Sequence, residues 1–395
     1  MKTSGSPASV RRKQPLAGEA GLFETAFELC VRKTRPNIKR LADEPKSAAL
    51  AVDGNYFDFK EGFYEIGNWT SSFFTGMALL AWRETEDEFF LQQVLRLAPH
   101  YREKVFTRHR DTHHDLGFLY SLYSVALYKL TGDREHREVG LRAAEVLAQR
   151  FNEKGNFIRA WGHMDTAEHH NMAIIDCLMN LPLLYWASQE SGNPKFRGIA
   201  VRHADTALRN FVRPDGSVYH AYRFDLNTGQ PLRGDTYGGC AVESHWARGA
   251  AWAIYGFALS HGYTRDPKYL DASLRLARKF IANLDEEAVP LWDFKPVPGA
   301  PLIRDASAAS VAICGFQELL QDGVGDASLQ EAIRRLLLRL CSEDYLNSDE
   351  NCPGVQKNGQ VGAPNGMGRN AYTTWGDYFL MEALSRQLGK GASWW

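Results

Sequence analysis

Apolar positions along the chain define two kinds of helical stretch, and the two kinds alternate. In one kind, apolar residues recur every three to four positions and charged residues fill the rest, as in REHREVGLRAAEVLAQRF (134–151) and DPKYLDASLRLARKFIANL (266–284). Such a stripe predicts a helix with one buried and one wet face. In the other kind, small residues are scattered among large apolar ones and almost no face is polar. Examples are TSSFFTGMALLAW (70–82), RGAAWAIYGFALSHG (248–262) and DASAASVAICGFQELL (305–320). Helices of this composition pack on every side. About twelve helical stretches begin near Gly21, Thr70, Glu88, Leu116, Glu135, Met172, Lys195, Trp246, Pro267, Ala306, Ser328 and Tyr372.

Tight turns such as TGD (131–133), SGNPKF (191–196) and TRDPKYL (264–270) lead from the apolar to the amphipathic kind, and long loops lead back. This is an irregular repeat of helical hairpins, with a period of roughly 50 to 70 residues. Six hairpins closing on themselves predict an all-α fold, an (α/α)6 barrel with the long loops at one mouth. An open solenoid of hairpins is the alternative. One segment departs from the helical pattern. SVYHAYRFDLNTGQPL (217–232) alternates rings with polar residues around an NTG turn, and predicts a β-hairpin folded over the mouth. The Gly-rich stretch 356–370 reads as a long loop before the last inner helix. Residues 1–18 are basic with no apolar run behind them, so they read as a flexible tail rather than a signal peptide. Residues 19–395 read as a single barrel domain.

The stretch AEHHNMAIIDCLMNLPLLYWA (167–187) predicts a helix buried all round, and in it stands one carboxylic acid, Asp176. A carboxylate in such a setting is either satisfied by hydrogen bonds from a neighbouring helix or held at a raised pKa for acid–base work. Asn180, four residues on, shares its helical face and can reach Asp176 or a common ligand.

Composition narrows the function. A formal net charge of -1 gives no reason to expect nucleic acid or an anionic membrane as a partner. The 10 Trp, 16 Tyr and 21 Phe suit a sugar-binding cleft, although rings also fill cores. Six cysteines without a C-x-x-C pair read as reduced, buried thiols, in keeping with a cytoplasmic location.

The loops entering the apolar helices carry the chemistry: Trp69; His113, His114 and Asp115; Trp161, His163, Asp165, His169 and His170; Arg248 and Trp252; Arg304 and Asp305. Adjacent histidines diverge on a helix and no H-E-x-x-H spacing occurs, so no metal and no other cofactor is expected. There is no G-x-S-x-G elbow and no Gly-rich phosphate loop after a strand. Asp115 lies at the start of one inner helix and Asp176 within the next, so a barrel brings both acids to one Trp-lined cleft. Arg248 and Trp252, four apart, share a face. The arginine suits a bidentate hold on a sugar carboxylate and the tryptophan a stacking platform, with an ion pair and core filling as the alternatives. Asp305 is expected to be the N-cap of its helix.

At WTSSFFTG, HHDLGFLY, NMAIIDCLMNLPLLYWA, RGAAWAIYGFA and RDASAASVA the chain resembles glycoside hydrolase family 88, the unsaturated glucuronyl hydrolases, over residues 56–388. The resemblance implies an (α/α)6 barrel and no metal. It implies action on small unsaturated oligosaccharides, releasing the 4,5-unsaturated uronic acid at the non-reducing end by hydration of C4=C5. By position it implies that Asp176 is the general acid/base and Asp115 the second essential acid. Trp69, Trp161, His220, Arg248 and Trp252 then stand at substrate contacts, and from their own positions beside the acids His114 and Asn180 are expected to bind substrate as well. The sequence departs from the family at one place, where DTYGGCA puts Gly238 in the position of a Gln. No S-x-S-x-K pattern, which some members use for sulfated partners, occurs in 356–370. A galacturonyl hydrolase acting on pectin fragments, a sugar epimerase and a non-catalytic sugar-binding barrel are the competing readings.

Overall fold

The tight turns that lead out of the apolar helices are built alike. The preceding helix ends on a residue in the left-handed region, Gly132 (φ 72°), Gly192 (φ 70°) or Arg265 (φ 59°). The following residue or the next accepts the first free N–H of the new helix through its side chain: Asp133, Asn193 and Asp266. One residue stops a helix and a neighbour starts the next, which is what a short antiparallel hairpin requires. These hairpins belong to a computed structural model that describes residues 17–45, 50–51, 56, 62–323, 326–362, 366, 368–391 and 393–395.

In chain order, α1 (Ala17–Asp43) lies outside α2 (Ser71–Thr85), and the short α3 (Glu88–Leu95) and α4 (Ala98–Phe106) follow. Next come α5 (Leu116–Tyr120), a π-helical turn (Ser121–Val125) and α6 (Ala126–Thr131), paired with α7 (Arg134–Gln149). The pairs α8 (Leu181–Ser191) with α9 (Pro194–Asn210), α10 (Ala247–Thr264) with α11 (Pro267–Ala282), and α12 (Ala306–Gln321) with α13 (Ala327–Leu340) succeed them. Last is α14 (Thr374–Gln387), against which α1 packs. The apolar members touch in a closed cycle: α2, α5, α8, α10, α12, α14 and back to α2. The fold is the expected (α/α)6 barrel, with the apolar helices as its inner ring.

Among the described residues seven short strands decorate it: β1 (Leu50–Ala51), β2 (Phe151–Asn152), β3 (Phe157–Ile158), β4 (Met172–Ile174), β5 (Ala221–Phe224), β6 (Pro231–Asp235) and β7 (Tyr372–Thr373). The expected hairpin is β5–β6. Its turn is held by the Asp225 carboxylate, which accepts from the N–H groups of Asn227 and Thr228, and by Gly229 at φ 76°. β4 joins it as a third antiparallel strand.

That third strand corrects the sequence reading. Residues 172–180 are not helical throughout. Met172–Ile174 pairs with Ala221–Arg223, and Ile175–Met179 forms a single 3-10 turn before α8 starts at Leu181. Pro182 sits in the first turn of α8, where its missing N–H costs nothing; a helix running in from residue 172 would need that donor. The β-branched Ile174 and Ile175 favour the extended approach.

Two smaller expectations also change. Residues 1–16 of the expected tail lie outside the described residues, and residues 17–18 open α1. Residues 363–365 and 367 of the expected loop 356–370 lie outside them as well. Cys30, Cys177, Cys314 and Cys341 are buried, but Cys240 and Cys352 are only half-buried. Among the described residues no helix is long and apolar enough to cross a membrane.

Candidate active site

The inner helices present their N-terminal ends at one mouth. There, a cleft of about 620 Å³ is lined by residues from those ends: Trp69 before α2, Asp115 capping α5, Asp176 on the turn before α8, Trp246 and Arg248 at the start of α10, and Trp375 in the first turn of α14. Converging helix N-termini favour an anionic ligand.

Close packing brings the two acids to one floor. A Cβ on Gly117 would fall 2.2 Å from the Asn180 Cα, so only glycine lets α5 lie against the turn that carries Asp176. Asn180 then bridges the acids. Its Oδ1 accepts the Phe118 N–H at 2.8 Å, and its Nδ2 donates to Asp115 Oδ1 at 3.4 Å and to the Asp176 carbonyl at 3.5 Å. Asn180 is wholly buried and works from behind the cleft wall.

The environments of the acids differ. Burial pushes Asp176 up to about 7, and the neighbouring Asp115 charge adds to this, against an opposing effect of Arg248. Its Oδ2 has no hydrogen-bond partner. Burial also acts to raise Asp115. His114 and His113, with Asn180, outweigh it and hold that carboxyl below its ordinary value. His113 Nδ1 lies 3.0 Å from Asp115 Oδ2, and His114 Nε2 lies 3.5 Å from Oδ1. Burial keeps His114 neutral, lowering it to about 3. The three donor groups lie within 4.8 Å of one another, because residues 113–115 form a turn rather than the helix on which adjacent histidines diverge. One acid is thus protonated near neutral pH while its neighbour is ionised, which is the division of roles that acid–base chemistry uses.

His220 faces Asp176 from β5, with Nε2 3.6 Å from Asp176 Oδ2. Its Nδ1 accepts from the N–H of Tyr237 at 3.1 Å and of Gly238 at 2.8 Å. An acceptor Nδ1 fixes the proton on Nε2, and burial with the nearby Arg248 holds the ring neutral, down to about 3. His220 therefore presents a neutral N–H to the cleft. Arg150, at the end of α7, ties two site loops together: its guanidinium donates to the carbonyl of Thr112 beside the acid loop and to those of Ala160, Trp161 and Gly162.

Other expected residues fall differently. Arg248 lines the cleft, yet its Nη1 is paired with the buried Asp305 at 2.8 Å and also donates to the Gln360 carbonyl, while Nη2 donates to Val361. The ion-pair alternative is realised, and only Nε lacks a partner. Asp305 caps α12 through Ser307 and Ala308 as expected. Trp252 does not reach the cleft: it is fully buried, with its ring 5.4 Å from Phe118 and from Phe379, because residue 252 lies a full helical turn below the mouth. His114 is likewise behind the wall. Arg304 turns away to Asp285.

Sequence reasoning missed Trp246, Trp375 and Tyr237, all of which line the cleft. Trp375 stacks on Trp69 at 4.8 Å, and the Arg248 guanidinium lies 4.6 Å over Trp246. The signal for the two tryptophans was present, since each stands at the start of an apolar helix as Trp69 does.

Comparison with known proteins agrees with this architecture. Residues 54–332 match Glycosyl Hydrolase Family 88. The chain is 37% identical over 324 residues to an unsaturated glucuronyl hydrolase of Bacillus sp. (strain GL1), covering 81% of this chain and 86% of that one. It is 34% identical over 368 residues to an unsaturated chondroitin disaccharide hydrolase of Streptococcus pyogenes serotype M1, covering 91% and 90%. The crystal structure of the Bacillus sp. GL1 hydrolase, described as responsible for the degradation of glycosaminoglycan, superposes with a TM-score of 0.86 at 33% identity, over 94% of this chain and 99% of that one.

Proposed function

Because the chain belongs to glycoside hydrolase family 88, we propose that it is an unsaturated glucuronyl hydrolase that releases the 4,5-unsaturated uronic acid from the non-reducing end of small glycosaminoglycan-type oligosaccharides. The observation that carries the reading is the pair of acids at the cleft floor whose pKa values are driven apart, with Asp176 raised to about 7 and Asp115 lowered. Relatives that act on unsaturated glucuronyl and chondroitin disaccharide substrates favour it over the galacturonyl, epimerase and sugar-binding alternatives.

In this reading Asp176 arrives protonated and gives its proton to C4 of the double bond. Positive charge develops at C5 and the ring oxygen. The Asp176 carboxylate then takes a proton from the water that attacks C5, so H and OH have been added across C4=C5 and the acid is restored. The hemiketal opens and the glycosidic bond is lost with it. Asp115, ionised, accepts from sugar hydroxyls and helps keep the proton on Asp176. The neutral His220 N–H donates to the sugar. Arg248 supplies fixed positive charge towards the uronate, with most of its N–H groups already committed to Asp305, Gln360 and Val361. Trp69, stacked on Trp375, offers a ring face to the uronate. A cytoplasmic place of action accords with six cysteines that are all free thiols.

The test is turnover of lyase-generated disaccharides, followed as loss of the double-bond absorbance, in heavy-oxygen water. Label on C5 of the uronate is expected. Label on the anomeric carbon, or cleavage of a saturated glucuronide, would mean an ordinary glucuronidase mechanism.

A further inference from the structure

The cleft is closed at the acids and open at a rim built from a different set of rings. Tyr237 lies 5.0 Å from Trp161 and 6.2 Å from His169, each pair edge-on. Trp161 and Tyr237 stand 6.2 and 6.0 Å from the His220 ring, both edge-on. Tyr237 is 38% exposed, whereas the Asp176 side chain is 16% exposed. A sugar whose ring reaches Asp176 must place the next sugar at this rim.

Tyr237 is positioned by a dedicated strut. Arg223 on β5 donates Nη2 to the Tyr237 hydroxyl at 2.8 Å, Nε to Asp235 at 2.7 Å and Nη1 to Asn171 at 3.2 Å. The strut thus joins β5, β6 and the residue before β4 to one ring. Gly238 is part of the same device. A Cβ there would lie 2.7 Å from the Trp246 ring, so the position admits no side chain while Trp246 packs against the turn. The turn offers its backbone to His220 and its neighbour's ring to the rim.

The rim carries charge of both signs: Glu168 lines it with a side chain 72% exposed, and the Arg223 guanidinium, paired with Asp235, stands at the Tyr237 hydroxyl.

Resting on the reading of the floor given above, we propose that Tyr237, held by Arg223 as a positioning residue, is a specificity-determining contact for the leaving sugar and packs against a C–H face of that sugar.

The experiment measures kcat and KM for two compounds sharing the unsaturated uronate: the disaccharide with N-acetylgalactosamine and the methyl glycoside. Tyr237→Ala should lower the disaccharide-to-methyl-glycoside ratio of kcat/KM by about tenfold, through KM. Tyr237→Phe and Arg223→Leu should each give a smaller loss in the same ratio, and the double variant no more than either alone. An unchanged ratio in Tyr237→Ala, or additive losses in the double variant, overturns the proposal. Failure of the wild-type protein on both compounds overturns the functional reading itself, and this proposal with it.

Discussion

Two aspartates near the N-termini of inner helices share the same displaced proton affinity, and differ in almost everything else. Burial pushes both Asp176 and Asp377 up to about 7. Asp377, on α14, is saturated: the Tyr56 hydroxyl donates to it, as do the N–H of Gln356 at 2.8 Å and of Val355 at 3.4 Å. It pins the segment after α13 to the barrel, and Lys33 fixes the same segment by donating to the carbonyls of Asp349, Cys352 and Gly354. Asp176 keeps one oxygen without a partner and opens to a cleft. A raised pKa alone therefore does not mark a catalytic acid. The mark is an unspent hydrogen-bonding atom facing space that a substrate can fill.

The sharpest way to break this comparison is Asp176→Asn. Removing a general acid/base typically lowers kcat by about 10²- to 10⁴-fold. Asp377→Asn is expected to leave kcat within a few-fold. Equal losses in the two variants, with folding intact by circular dichroism, would erase the distinction.

Stability should move the other way. Asp176 is protonated in both folded and unfolded states below about pH 4. Between that and its folded value of about 7 the unfolded chain releases the proton first, so stability falls as pH rises and the full penalty stands above pH 7. Three pKa units set its upper bound at about 4 kcal/mol. Asparagine carries no such penalty, so Asp176→Asn should be more stable than the wild-type protein in urea at pH 8 and nearly equal at pH 4. Asp377→Asn turns an amide donor towards N–H groups that need an acceptor, and should lose about 1–3 kcal/mol in the same urea series at pH 5. A gain at pH 5 would show that its hydrogen bonds contribute nothing.

The contrast also explains what could be read in the sequence. Both inner helices were legible from apolar faces on all sides, and Asp176 stood out because its neighbours Ile174, Ile175, Cys177 and Leu178 are apolar. Its backbone was not legible: the strand–turn conformation depends on pairing with Ala221–Arg223, about fifty residues on, and on Pro182. The partners of Arg248, at positions 305, 360 and 361, lie further still along the chain, so an ion pair and a substrate clamp looked alike. Trp252 misled because helical spacing gives direction around an axis but not depth along it; one turn from Arg248 carries it out of the cleft. Asp377 drew no notice because its partners, Tyr56 and the adjacent Val355 and Gln356, lie far from it along the chain.

The smallest expected effect tests the comparison most finely. Tyr56→Phe removes one hydroxyl from Asp377 and leaves the two backbone donors in place. The loss of one buried hydrogen bond is expected to cost about 1 kcal/mol of stability, read as a small shift of the urea midpoint. Its informative readout is the pH profile of kcat/KM. In the reading argued here, activity requires Asp176 protonated and Asp115 ionised. The alkaline limb therefore falls near pH 7, and the acid limb lies below the ordinary carboxylate range. The Tyr56 hydroxyl stabilises the ionised form of Asp377, so its loss moves the Asp377 pKa upward and leaves Asp176 alone. An alkaline limb that stays in place while stability drops separates the two carboxyls. A limb that climbs with the Tyr56→Phe change would assign the limiting proton to Asp377, and the unpartnered oxygen of Asp176 would no longer be the mark of the acid.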